Sequence, residues 1–176
     1  MRIKDVEALF VDRWLYTRIH TDEGIAGLGE SGTWGYLEAS EGAVRAFKRY
    51  LVGQDPLRIE HHWQYMYRNS HFRGAAIMGA ISAIDIALWD IAGKHFGVPV
   101  YQLLGGKTRD KARVYVHVSG RTNEELVANF LAAKDQGYTA VRFSALTHES
   151  PDMTHSMRIE DAAERVRAVR EGVGDD

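Results

Sequence analysis

Val141-Arg142-Phe143-Ser144 sets a permanent cation and a hydroxyl two residues apart, in a run that reads as a β-strand. Alternation along a strand turns both side chains to one face. The chemistry open to them is narrow. A guanidinium is a poor base because its pKa exceeds ~12, and a serine hydroxyl is not basic without a partner to take its proton. A purely structural cation is the other role open to Arg142. The histidines offer less. His61 and His62 are adjacent, so on a helix they diverge by ~100° and cannot chelate one ion together. His148 and His155 fall in Thr147 to Ser156, whose composition is that of a loop, and the closing pair Asp175-Asp176 reads as a frayed terminus rather than a ligand set. His20, His95 and His117 have no partner at chelating spacing and read as structural. With no cysteine there is neither a disulfide framework nor a thiolate zinc site, which fits a reducing compartment.

These residues need elements to position them, and the best specified is a helix through Ala80 to Leu88. Ala76, Ala80, Ala83 and Ala87 recur at helical spacing beside Ile77, Ile81, Ile84, Leu88 and Ile91. Such a helix is apolar nearly all round and belongs between two layers, its alanine side allowing close approach. Asp90 stands one turn before Lys94 as a surface pair, whereas Asp85 lies among apolar neighbours and requires a cationic or backbone partner. Lys94 and His95 suit the negative end of the helix, Gly97 can adopt a left-handed conformation, and Pro99 cannot continue it. A short helical turn, Tyr101 to Leu104, follows.

Before it, Ile3 to Val11, Trp14 to His20 and Ile25 to Glu30 read as an antiparallel meander, with Thr21-Asp22-Glu23-Gly24 a turn. Helices are expected over Tyr36 to Leu51 and Leu57 to Tyr67, the second opened by Asp55 as N-cap and Pro56 at the first helical position. After Gly106 the order becomes strand (Ala112 to Val118), helix (Thr122 to Asp135, with Glu125 placed for a capping box), strand (Thr139 to Ser144) and helix (Arg158 to Gly172, with Ala162, Val166 and Val169 on one side). That alternation is the signature of parallel α/β structure.

The 176 residues are 45% hydrophobic and 26% charged, ordinary for a globular protein, and the net charge of −2 leaves no basic footprint for nucleic acid or a membrane surface. Charges near Met1 interrupt any signal-peptide core, so the cytoplasm is the expected location. No apolar run reaches ~20 residues without a charge.

The ungapped pattern from Ala80 to Gly105 resembles the mandelate racemase and muconate lactonising branch of the enolase superfamily. Thr21 to Glu30, Gly53-Gln54-Asp55-Pro56, Trp63 to Arg68 and Phe72-Arg73-Gly74 extend the likeness. Together with Asp12-Arg13-Trp14 they look most like the acid-sugar dehydratases of that branch, galactonate dehydratases foremost. The resemblance implies an α+β capping domain, a three-stranded antiparallel meander plus helices, over residues 1–106. Residues 107–176 would then begin a TIM-type barrel. A (β/α)8 barrel needs ~250 residues, and about 70 follow Gly106. The expectation is therefore the first two β/α units of an incomplete (β/α)8 barrel, in a fragment or truncated gene product.

The resemblance further implies a full-length hydro-lyase that abstracts an α-proton and eliminates water from an aldonate. Its Mg2+ would be bound by carboxylates beyond residue 176, with no metal ligand in this chain. The substrate would be a small sugar acid, and relatives are commonly homo-oligomers. Lid loops are implied at Arg13 and Trp14, at Trp34 and Tyr36, and at His71 and Arg73, where rings could stack on a sugar and arginines could meet carboxylate or hydroxyl groups. Packing is the competing role for Trp14, Trp34 and Tyr36, and local pairing for Arg73. Arg142 and Ser144 stand where many relatives carry Lys-x-Lys, which argues against a racemase or a lysine-based cycloisomerase. A mannonate-type dehydratase, an epimerase or racemase, and a non-catalytic binding or oligomerisation module remain as alternatives.

Overall fold

Alternating β-branched and aromatic residues build an antiparallel meander of β1 (Ile3–Val11), β2 (Trp14–Thr21) and β3 (Ala26–Ser31), in the order β1-β2-β3. Val11 pairs with Trp14 across a two-residue turn, and Leu15 pairs with Ser31. The other turn closes as its sequence requires: Gly24 takes φ +84°, and both the amide and the hydroxyl of Thr21 donate to the Ile25 carbonyl. This computed structural model describes residues 1–32, 35–69, 71–146 and 152–174. Two units divide it, Met1–Thr108 and Arg109–Asp176.

In the first unit α1 (Leu37–Leu51) and α3 (Ala75–Phe96) cover one face of the sheet, and α2 (Ile59–Arg68) and the single turn α4 (Val100–Leu103) pack against α3. Ile3, Val6 and Ile19 from the strands meet Val44, Phe47 and Leu51 of α1 and Ile81, Ile84 and Leu88 of α3 in one buried cluster. The 22 residues of α3 would suffice, by length and composition alone, to cross a membrane. Here nine of them, from Ala80 to Gly93, are buried within the unit. Gly97 ends the helix at φ +68° with its amide on the Gly93 and Lys94 carbonyls, and Pro99 follows.

Contact between β3 and α3 is made through backbone. A Cβ on Gly27 would stand 2.0 Å from the Ala87 carbonyl oxygen, and one on Gly29 would stand 2.0 Å from that of Ala83. The Asp90–Lys94 pair is more than surface decoration. Asp90 accepts from the Leu28 amide at 2.9 Å while Lys94 donates to the Ala26 carbonyl at 2.7 Å. The two side chains thus occupy backbone groups of an edge strand, which would otherwise be open to pairing with another chain.

Two expectations for this unit are corrected. α2 begins at Ile59 rather than Leu57, and Asp55 accepts from the Leu57 amide at 2.9 Å. That local bond closes a turn of its own and delays the helix. Asp85 finds no cation: it makes no hydrogen bond or ion pair with a described residue, and burial, followed by the nearby Glu60, pushes its pKa up. His62 is fully buried, its ring nitrogens 2.9 Å from the Tyr50 hydroxyl and 2.7 Å from the Asp55 carbonyl.

In the second unit β4 (Val116–His117) and β5 (Val141–Arg142) form a parallel pair in which Val116 faces Val141 and His117 faces Arg142. α5 (Asn123–Asp135) joins them and α6 (His155–Val173) follows. Both strands are shorter than their sequence patterns suggest, because each pairs with one described neighbour and flanking residues bond otherwise. Arg113 donates to the Thr139 hydroxyl, and Ser144 to the Leu146 carbonyl. The capping box at α5 forms with a shift: Thr122 accepts from the Glu125 amide at 3.2 Å, and Glu125 reaches back to the Arg121 amide at 2.7 Å. α6 starts three residues early, at His155, because Thr154 caps it by accepting from the Met157 amide. Val169 is buried as expected, but Val166 is half exposed and Arg165 is buried instead.

Gly29→Ala drives a methyl into a backbone carbonyl, so it should destabilise the protein by about 1–3 kcal/mol. Gly42→Ala, inside α1 with nothing within 4 Å of the new methyl, should instead stabilise by about 0.5–1 kcal/mol. Urea denaturation of both variants checks the pair, and equal effects would remove the close contact as the cause.

Burial pushes the His62 pKa below its ordinary 6.5. Below pH 6.5 the unfolded chain takes up a proton that the folded chain refuses, so this contribution is whole above that pH and is lost as the pH falls. The thermal midpoint should decline between about pH 6.5 and 5, and His62→Gln, which keeps a donor for Asp55 but does not titrate, should flatten that decline. An unchanged slope would show that the imidazole is not responsible.

Candidate functional site

The register of the meander puts three loops at one end of the first unit. Because Leu15 pairs with Ser31, the β1–β2 turn and the exit of β3 lie together. β3 runs against α3 with Gly29 on Ala83 and Gly27 on Ala87, so the start of α3 lies at the same end. The Ser40 hydroxyl donates to the Ala76 carbonyl at 3.0 Å and draws in the start of α1. Arg13, Trp14, Tyr36, His71 and Arg73 therefore share one rim. Trp34 lies outside the described residues.

Side-chain geometry on this rim divides the candidates. Arg13 is exposed in a turn where Asp12 takes φ +51°, and its guanidinium lies 5.2 Å from the Trp14 ring centre. Tyr36 is 78% exposed and Phe72 84%, which leaves two aromatic faces open for stacking. Arg73 is held locally: its Nε donates to the Tyr67 carbonyl, and its guanidinium lies 4.1 Å over the Tyr67 ring. His71 is exposed.

The second unit brings a different set together. Val141 and Phe143 turn toward α5 and α6 and line an apolar cavity of about 480 Å³ with Phe130 and Val169. Arg142 and Ser144 point to the opposite face and are exposed there. Across the ladder on that face stand Tyr115 and His117, also exposed, with rings 5.4 Å apart and 24° from parallel. Arg142 Nη1 donates to the Tyr115 hydroxyl at 3.5 Å. Nothing in the sequence alone singles out Tyr115, and His117 by its spacing reads as structural. The signal that finds them is the alternation Arg113, Tyr115, His117 along β4, read against Arg142 across the pair.

The loop after β4 is pinned from two helices. Asn129 of α5 donates to the Ser119 carbonyl at 2.7 Å, and Arg165 of α6, 6% exposed, donates to that of Gly120 at 2.5 Å. A Cβ on Gly120 would stand 2.4 Å from the Leu126 amide nitrogen, so the loop lies directly on α5.

A divalent cation such as Mg2+ requires several oxygen ligands. Among the described residues no three histidine or acidic side chains converge to hold one. The donor set of the described residues does not fit the ion.

Residues 8–105 match the sequence family described as mandelate racemase / muconate lactonizing enzyme, N-terminal domain. The chain belongs to that family. Its first unit has the family's capping fold. Among similar proteins, the D-galactonate dehydratase of Verminephrobacter eiseniae is 43% identical over 164 residues, 92% of this chain and 42% of its own length. That of Pectobacterium atrosepticum is 42% identical, again over 92% of this chain and 42% of its own length. A solved member of the enolase superfamily from Salmonella Typhimurium superposes with a TM-score of 0.88 at 30% identity, covering 99% of this chain and 52% of that one. An enolase from Pantoea ananatis, solved with bound D-gluconate and Mg, gives 0.86 at 27% identity, covering 98% of this chain and 51% of that one. The chain thus spans about two fifths of the length of the curated relatives it matches.

Arg165→Met removes a buried donor and leaves the Gly120 carbonyl without it, at a cost of about 1–3 kcal/mol. Hydrogen exchange should quicken at the amides of Val118 to Arg121. Unchanged protection there would show that α6 does not hold the loop.

Proposed function

We propose that this chain supplies the substrate cover and the first two strand–helix units of a Mg2+-dependent dehydratase of acid sugars, with D-galactonate the leading substrate. The reading is supported above all by the match along 92% of the chain to D-galactonate dehydratases. The gathering of the three loops at one rim agrees with it.

In this reading residues 107–176 begin the barrel and the rim forms the lid. Trp14 and Tyr36 stack on the carbon skeleton of the sugar, while Arg13 and His71 meet its hydroxyls or carboxylate; Arg73 keeps to Tyr67 and shapes the loop. Closure over the substrate excludes water from the reacting carbons. The reaction removes the proton from C2, expels the C3 hydroxyl as water, and leaves an enol that becomes the 2-keto-3-deoxy acid. Arg142 remains protonated throughout and cannot take the C2 proton. Its part, with Ser144, is to hold the acid in place. The base and the metal ligands belong to residues outside this chain. The protein would act in the cytoplasm as a homo-oligomer.

A mannonate-type dehydration is the second reading, favoured by one observation: an arginine, rather than a lysine, stands at position 142.

The 176-residue chain with Mg2+ should show no turnover of D-galactonate or D-mannonate. A polypeptide in which this chain is continued through a whole barrel should release a 2-keto-3-deoxy acid from one of them and lose that activity on chelation. Turnover by the short chain would place the metal site inside it, and inactivity of the long one on every aldonate would end the dehydratase reading.

A further inference from the structure

The meander treats its two edges differently. At β3 the side chains of Asp90 and Lys94 occupy the outward Leu28 amide and Ala26 carbonyl. At β1 the register decides which groups face out. The tight turn makes Val11 and Trp14 a pair that exchanges both its hydrogen bonds, so by alternation Leu9, Glu7 and Asp5 also bond β2. Phe10, Ala8 and Val6 therefore turn their amides and carbonyls away from the sheet. The bulge after Ile3 inverts the order, and Ile3 faces outward to bond Gly53 and Gln54. Val6 is partly engaged as well, because the Asp5 carboxylate takes its amide and also holds Lys48 of α1. Beyond Val6 the edge is open. Among the described residues no backbone group bonds Ala8 or Phe10 from that side. Natural edges are commonly blunted by proline or lysine. Neither stands between Val6 and Val11, and Phe10 and Val11 are 46% and 55% exposed.

We infer that β1 pairs antiparallel with β1 of a second copy, joining two meanders into one continuous sheet with Ala8 of each chain at the two-fold axis. The occupant is a second copy because the strand is complementary to itself. In this register Val6 faces the partner's Phe10, Glu7 the partner's Leu9, Asp5 the partner's Val11, and Lys4 the partner's Asp12. No like charges meet, and the exposed Lys4 and Asp12 pair at each end. Ala8 exchanges both bonds with its own counterpart, and each Phe10 amide donates to the partner's Val6 carbonyl. That makes about four backbone bonds with the Asp5–Lys48 bridge undisturbed. Neighbouring registers are worse: an axis at Glu7 sets that acid against its own copy, and one at Leu9 parts Lys4 from Asp12. The inference gives the homo-oligomer a surface, and it stands whether or not the dehydratase reading does.

The test is sedimentation of the 176-residue chain at concentrations up to about 1 mM, with hydrogen exchange measured at both ends of that range. A reversible monomer–dimer equilibrium is expected, and the Ala8 and Phe10 amides should gain protection as the dimer fills. Ala8→Pro removes the amide at the axis, which the fold leaves unused, and should yield a monomer. Phe10→Lys, at an exposed position, should weaken association about tenfold or more, and it decides the matter where the proline variant does not fold. Lys4→Gln and Asp12→Asn should each weaken it about threefold at low salt. The double variant should lose no more than either alone, the mark of a direct pair. A monomer at the highest concentration overturns the inference, as does a dimer whose added protection falls on Val116 or Val141, or one unaffected by Phe10→Lys. A barrel-length polypeptide that dimerises through β1 yet dehydrates no aldonate would end the dehydratase reading and leave this one standing. One that dehydrates an aldonate while Phe10→Lys leaves its association unchanged would do the reverse.

Discussion

The carbonyl oxygens of Ala83 and Ala87 lie where a Cβ on Gly29 or Gly27 would have to be, so β3 and α3 touch backbone to backbone. No larger residue at either glycine permits that approach, and none at Ala83 or Ala87 leaves the carbonyls as exposed to the strand. The close approach fixes the direction of α3 along β3, and with it the end of the sheet at which α3 begins. It also brings Asp90 and Lys94 within reach of the Leu28 amide and the Ala26 carbonyl, which closes part of an edge. Placement of the loop bearing His71 to Arg73 beside the β1–β2 turn follows from this one contact and from the strand register.

Much of this was legible because it depends on local chemistry. The stop of α3 at Gly97 needs a left-handed residue and a proline after it, and both are written in the chain. The meander likewise follows from a period of two interrupted by turn residues. What the sequence hid were interactions between distant residues. An Asp90–Lys94 pair at helical spacing looks like any solvent-exposed pair, and nothing local shows that its atoms also satisfy a strand 62 and 68 residues away. Val166 fits the apolar stripe of α6 by spacing, yet Arg165 is the buried residue, because its guanidinium is required at the Gly120 carbonyl. Local competition explains the late start of α2: Asp55 bonds the Leu57 amide before a helix can use it.

The candidate sites differ in the same way. On the rim, the loop residues were identified by family likeness, and geometry adds which side chains are engaged: Arg73 is committed to Tyr67, whereas Tyr36 is open. On the β4–β5 face, alternation from Arg142 to Ser144 was readable, but the partner residues were not. Their pairing depends on a parallel register across an intervening helix, with His117 and Arg142 25 positions apart in sequence and side by side in the sheet.

Asp85 shows what a buried charge implies when its partner is missing. A carboxylate in an apolar helix is costly to desolvate, and here Glu60 makes it more so, which is why its proton is held more tightly than usual. The fold tolerates this because the residue is only half buried, so water still reaches it. Arg165, much more deeply buried, is held at a backbone carbonyl. Arg165 is thus satisfied at one of its donors, Nη2, while its Nε is buried without a partner among the described residues, and Asp85, with no hydrogen bond to a described residue, stays at the boundary.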